Sequence, residues 1–210
     1  TFVPLEVTTD DASLIDGVYD YAVTDRYIYV LPVKEPRIVL FERQGRFIRT
    51  LVKEGQGPGE FRGILPCIQV DERNDRLFLF SNNRVWEYTL EGEFIGQSTH
   101  EYSVIYMRHI GKDRFAAISF PFQPFNGGGF GLGLFSRKGD TIAIKNDFYS
   151  FLLPHEKSGF TTSIAPAYSD AQNSVLFKTG SNDTVFCISA DRISAACVLD
   201  LKNSDAEVIR

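Results

Sequence analysis

The chain has 210 residues, 43% of them hydrophobic and 13% aromatic, long enough to bury a core and too apolar to stay disordered. Eighteen Phe and nine Tyr stand against one Met and one Trp, beside 17 Gly and nine Pro, a balance that favours pleated sheet over a helical bundle. With 22 basic and 27 acidic side chains the net charge is -5, so no global field draws the chain to phosphate backbones or anionic lipid, and no nucleic-acid partner is expected.

No apolar run reaches the roughly 18 to 20 residues of a spanning helix, and residues 1–7 have neither a basic n-region nor an h-region. The chain therefore reads as soluble, with no membrane insertion. Cys67, Cys187 and Cys197 are too few and too irregular for a disulfide framework, and no Cys-x-x-Cys spacing suggests zinc. Buried free thiols are the expectation, with a bridge across the hairpin that Cys187 and Cys197 flank as the alternative.

Taken in chain order, the apolar segments repeat. Arg37 to Arg43, a turn at Gln44-Gly45, and Arg46 to Leu51 read as a hairpin closed by a glycine that tolerates positive φ. Arg84 to Leu90, Glu91-Gly92 and Glu93 to Gly96 repeat it 47 residues on, and Phe130 to Arg137, Lys138-Gly139 and Asp140 to Ile144 repeat it after another 47. A weaker fourth copy, Thr184 to Ala190 turning at Asp191-Arg192 into Ile193 to Leu201, lies 52 residues beyond Gly139 and has lost the glycine. Each hairpin follows another strand pair, whose polar turns fall at residues 24–26, 72–75, 111–113 and 171–173. Within those pairs Tyr27 to Val30, Leu77 to Phe80, Phe115 to Ser119 and Val175 to Phe177 are continuous apolar runs, as expected where both sheet faces are covered.

Four-stranded units at a period in the forties predict an all-β chain of β-propeller type with about four blades, over residues 15–53, 62–99, 104–147 and 162–201 of one domain. A jelly roll or immunoglobulin-like sandwich fits the strand content but predicts no 47-residue echo of one turn.

The joint between the first two blades, Gly55-Gln-Gly-Pro-Gly-Glu-Phe61, leads into an apolar strand that ends in Asp71. It resembles the NHL-repeat joint and is similar to the six-bladed β-propeller proteins abundant in gut Bacteroidota. Phe2-Val-Pro-Leu-Glu6, Ser13-Leu-Ile, Tyr27-Ile-Tyr-Val and Arg46-Phe-Ile-Arg look like that family in the same order. The likeness covers most of residues 1–145, and beyond 150 only the strand rhythm follows it. The resemblance implies that residues 1–7 close the ring as the outer strand of the last blade. Six blades need on the order of 270 residues, so this would be a partial propeller whose open ends are covered by missing blades, by a second copy of the chain or by another partner. It also implies an exported lipoprotein at the periplasmic or outer-membrane surface.

Candidate chemistry is sparse. The glycines at 55–59 could cradle phosphate, but no Lys-Ser/Thr follows and Pro58 removes a donor, so the stretch reads as a blade-to-blade crossover with Phe61 anchored between sheets. Phe125-Asn-Gly-Gly-Gly-Phe130, with Phe120 and Phe122, reads as a flexible loop or an exposed aromatic patch able to grip a sugar face or a partner. His100, His109 and His155 fall at opposite ends of the blades, which disfavours a three-histidine metal centre. Asp71 to Asp75 has Arg73 where a calcium loop needs a ligand, and reads as a solvated turn.

No metal or other cofactor is expected. The favoured function is a non-catalytic binding or scaffold propeller, holding a peptide, glycan or protein partner at one mouth through Arg62, Asn83, Arg84, Arg108, Phe125, Phe130 and Tyr168. The alternative is a propeller lyase or hydrolase with a channel-mouth site, where Arg62, Arg84, Arg108 and Tyr168 bind and polarise a carboxylate.

Overall fold

Runs of β-branched and aromatic residues cut by glycine, asparagine and aspartate turns leave the chain no helix-length periodicity, and the described residues fold as strands alone. The structure is a computed structural model that describes residues 2–9, 12–63, 67–102, 104, 106–118, 131–145, 173–178 and 183–199. Its first sheet runs β1 (Val18–Val23), β2 (Tyr27–Pro32), β3 (Arg37–Glu42) and β4 (Phe47–Lys53) in spatial order. The second runs β5 (Cys67–Asp71), β6 (Arg76–Ser81), β7 (Arg84–Tyr88) and β8 (Phe94–Thr99). The third runs β9 (Tyr106–His109), β10 (Arg114–Ile118), β11 (Leu132–Ser136) and β12 (Thr141–Lys145). The fourth shows β13 (Ser174–Phe177), β14 (Thr184–Ser189) and β15 (Ile193–Val198) among the described residues. Every pairing is antiparallel between consecutive strands, the up-and-down sheet of a propeller blade, and the chain is all-β of propeller type.

The 47-residue echo has a physical basis. Gly45, Gly92 and Gly139 all sit at positive φ, +96°, +85° and +101°. Each donates its N–H to the residue three back, Glu42, Thr89 and Ser136, and each of those donates in turn to the residue after the glycine. One extra residue is thereby forced into the returning strand, a glycine bulge that re-registers Phe41 with Phe47, Tyr88 with Phe94 and Phe135 with Thr141. The fourth turn is one residue shorter, Ser189 donating to the Arg192 carbonyl.

Two compact units divide the chain, residues 1–100 and 101–210. In the first, the two sheets bury Tyr29, Leu31, Ile38 and Leu40 against Leu77, Leu79, Trp86 and Tyr88, with Phe61 of the crossover among them. The crossover is held by a parallel bridge between Glu54 and Phe61, and Phe61 is fully buried, its ring edge-on to Trp86 at 6.4 Å. The first strands also meet: the Asp20 carboxylate of β1 accepts the Ile68 N–H of β5 at 2.7 Å. Burial raises the Asp20 carboxyl above its ordinary value, against the lowering effect of the Ile68 and Tyr21 N–H groups.

Of residues 1–7, read from the sequence as a ring-closing strand, the described residues 2–7 pair with no strand among the described residues. They lie across the other face of the first sheet, where Val3 and Leu5 cover Ile28, Val30, Val39 and Phe41. Glu6 donates its N–H to the Gly45 carbonyl and takes the Phe47 N–H on its carboxylate.

In the second unit the third and fourth sheets share a core of Ala116, Ile118, Leu132 and Leu134 with Val175, Phe177, Phe186 and Ile188. The cysteines are free, as expected, but not uniformly buried: Cys197 is exposed, and Cys67 and Cys187 are half-buried. The β14–β15 register sets Cys187 opposite Ser194 and Cys197 opposite Val185. Residues 71–75 form a polar turn, Asp71 accepting the backbone N–H of Asn74 at 3.2 Å and its side-chain amide at 2.7 Å.

Candidate functional site

Because side chains alternate along a strand, Arg84, Trp86 and Tyr88 of β7 share one face. The β7–β8 register brings Gln97 opposite Trp86 and, across the bulge, Phe94 opposite Tyr88, so all five face the crossover from the first sheet. Gly57, Pro58, Gly59, Glu60 and Arg62 of that crossover form the facing wall, and the two enclose a cleft of about 430 Å³. The Gly59 backbone, at φ +78°, lies so close to Phe94 that a Cβ there would come within 2.9 Å of the Phe94 Cβ. Glycine is thus what lets wall and aromatic meet.

Trp86 is the floor, only 2% exposed, and Phe94 is the accessible ring, 45% exposed. Tyr88, tilted against Phe94 at 5.6 Å, buries its hydroxyl with no hydrogen-bond partner. Burial beside the Glu60 charge holds that hydroxyl well above the ordinary tyrosine value. Glu60 is tied into the wall: it accepts the Gly57 N–H at 2.7 Å and stands 3.7 Å from the Lys53 ammonium. The Gly57 bond, followed by Lys53, keeps its carboxyl below the usual range and so ionised.

The two arginines differ in employment. Arg62 donates from Nε to the Gly55 carbonyl at 3.1 Å and from Nη2 to the Gln56 carbonyl at 3.0 Å, clasping the glycine loop. Among the described residues Arg84 makes neither an ion pair nor a side-chain hydrogen bond, and the same holds for the Gln97 amide. The first sheet supplies an internal control. Arg37, at the position of Arg84 one repeat earlier, donates to the Leu14 carbonyl at 2.8 Å and to the Glu35 carboxylate at 2.7 Å, and its side chain is 14% exposed. In the second sheet Arg62 serves the crossover carbonyls, and the Arg84 guanidinium has no partner among the described residues.

Of the residues proposed from the sequence, the structure brings Arg62 and Arg84 together in this cleft. Asn83, next to Arg84, donates its amide to the His100 carbonyl at 3.2 Å and lines no part of it. Arg108 belongs to the second unit, in β9 opposite Ala116, and Phe125, Phe130 and Tyr168 lie outside the described residues. The cleft is built on the third and fourth strands of its sheet. Glu60, Trp86, Phe94 and Gln97 were not singled out, although strict alternation from Arg84 through Trp86 to Tyr88 was visible.

His100 is buried, and burial lowers its imidazole to about 4, so it is neutral near pH 7. His109 packs edge-on against Phe115 at 5.4 Å, and His155 lies outside the described residues. No group of three or more His, Cys, Asp and Glu side chains is placed to hold a metal among the described residues.

A family model described as "Domain of unknown function (DUF4934)" matches residues 1–208. The chain belongs to this family. The DUF4934 chain is similar in fold to a "Putative exported protein" from Bacteroides fragilis, with 18% identity and a TM-score of 0.70 over 93% of this chain and 54% of that one. It is also similar to a DUF4221-family member from Bacteroides vulgatus, with 9% identity and a TM-score of 0.58 over 90% of this chain and 59% of that one. The DUF4934 chain thus spans little more than half the length of these relatives in fold. No curated protein matches it, and among the described residues no helix is long and apolar enough to cross a membrane.

Proposed function

We propose that this chain is the ligand-holding part of a non-catalytic binding propeller in an exported bacterial protein, and that its ligand seats in the cleft between the 57–62 crossover and the β7–β8 hairpin. The observation that carries this reading is Arg84, a guanidinium without a partner among the described residues, beside a Gln97 amide equally unpaired among them and two aromatic rings, at a position where the preceding repeat commits its arginine to the fold. Glu60 is held ionised by a backbone N–H, which equips it to accept hydrogen bonds from a bound ligand. The likeness to a protein named as exported supports the compartment, periplasmic or outer-membrane-associated, and the NHL-like joint supports a six-bladed ring to which residues 2–7 contribute the last outer strand. Asn83, Arg108, Phe125, Phe130 and Tyr168 stay in the proposal as further ligand-contacting residues.

The test is capture on arrays of peptides and glycans by the 210-residue chain and by a double variant, Arg84→Gln with Gln97→Ala. Both positions are exposed, so the fold should stand, and captured ligands should be lost at least about tenfold. Undiminished capture by the double variant would remove the cleft from the function.

A further inference from the structure

The ligand class can be narrowed from the charges and the shape of the cleft, an inference that rests on the binding reading above. Two guanidinium groups face a single carboxylate. Arg62 spends its hydrogen bonds on neutral carbonyls, and among the described residues Arg84 has no partner. The carboxylate, Glu60, already has the Gly57 N–H and the Lys53 ammonium. The cleft is therefore a cationic spot on a chain of net charge -5. Guanidinium groups bind carboxylates through paired, parallel N–H bonds, and that geometry fits the open fork of Arg84.

Shape decides what carries the carboxylate. An apolar peptide side chain needs a dry socket, but Trp86 is 2% exposed and closes the floor, leaving the Phe94 ring and the exposed Pro58 as the apolar surface. Every other side chain of the wall apart from Pro58 is a hydrogen-bonding group: Glu60 accepts, and Gln97 both donates and accepts. One flat apolar patch ringed by donors and acceptors matches a pyranose ring, whose C–H face is apolar and whose rim is hydroxylated. We propose that the cleft binds an acidic saccharide unit, a hexuronic acid, with its carboxylate on Arg84, its C–H face on Phe94 and its hydroxyls on Gln97 and Glu60. Arg62 is a positioning residue that holds the loop against it.

Trp86 is the only tryptophan of the chain and forms the floor of the cleft, so its emission reports occupancy without a label. The 210-residue chain is titrated with a galacturonate trisaccharide, the matching neutral galactose trisaccharide, and a short peptide with an acidic C-terminus. The uronate should shift the emission saturably, the neutral sugar should bind about tenfold more weakly or worse, and Arg84→Gln should abolish that preference. Arg84→Lys should keep part of it, and Arg37→Gln should leave it unchanged. A neutral sugar that binds as well, or a peptide that binds better, overturns the acidic saccharide while leaving a functional cleft. If none of the probes moves Trp86 the saccharide is overturned as well, and undiminished array capture by the double variant would then remove the cleft with it.

Discussion

The first and second sheets are two copies of one design, and they diverge where the cleft is. Forty-seven residues apart, Arg37, Val39, Phe41, Phe47 and Thr50 of the first sheet correspond to Arg84, Trp86, Tyr88, Phe94 and Gln97 in the second. The Val39–Thr50 and Phe41–Phe47 pairings recur as Trp86–Gln97 and Tyr88–Phe94, while Arg37 stands opposite Lys53 and Arg84 opposite Thr99. In the first, the arginine is bonded to the Leu14 carbonyl, and Val3 and Leu5 lie over Val39 and Phe41. In the second, valine has become tryptophan, threonine has become glutamine, and the arginine's structural duty has passed to Arg62. A repeat protein can thus acquire a site by relieving one side chain of an inherited contact, here together with the loss of the irregularity between Ile38 and Val39 that the second sheet does not share.

The comparison breaks most visibly at Trp86. Trp86→Val, which installs the first sheet's residue, should lower unfolding free energy by about 3–5 kcal/mol, because Phe61 loses its partner and the surroundings cannot collapse fully. Denaturant unfolding followed by circular dichroism reads this, and a loss below about 1 kcal/mol would mean the indole is not the wedge between the sheets.

Next is the residue after β8. The first sheet has exposed Lys53 at this place, the second buried His100. Its folded value of about 4 lies below the ordinary 6.5, so the unfolded chain binds the proton more readily. Stability supplied by the neutral ring is therefore complete above about pH 6.5 and is lost as pH falls toward 4, on the order of 3 kcal/mol in all. His100→Gln should flatten the stability profile in that window, and an unchanged slope between pH 6.5 and 4 would assign the acid sensitivity elsewhere.

The glycine turns offer a smaller contrast. Gly45→Ala should cost about 2 kcal/mol, since its Cβ would strike the Pro4 carbonyl as well as suffer a positive φ, whereas Gly92→Ala, whose Cβ would stand 3.0 Å from the Leu51 carbonyl, should cost about 1 kcal/mol. Thermal melts of the two variants compare them directly, and the reverse order would mean that residues 2–7 yield easily. Smallest and sharpest are the paired arginines: Arg37→Gln should lose about 1–2 kcal/mol and Arg84→Gln less than about 0.5 kcal/mol. Equal losses would make Arg84 as structural as its counterpart.

Much of the fold was legible because its determinants are local. A glycine at positive φ every 47 residues, polar turns between apolar runs and a Phe closing a glycine-rich joint can all be read without knowing what packs where. The cleft was half legible. Arg62 and Arg84 were named, but the bulge between Phe94 and Gly96 decides which β8 side chains share their face, and no string of letters shows that Arg37 is bonded while Arg84 is not. Trp86 was passed over as an ordinary strand residue for the same reason: its role comes from Phe61, 25 positions away, arriving across the sheet gap.

The bond from the Asp20 carboxylate to the Ile68 amide has a consequence for dynamics. Ile68 lies on an edge strand, and this amide points away from its own sheet to a side chain of the neighbouring one. Its hydrogen–deuterium exchange is therefore a gauge of how often the two sheets part: slow exchange would mean that they open only with global unfolding, and fast exchange that they breathe as separate plates.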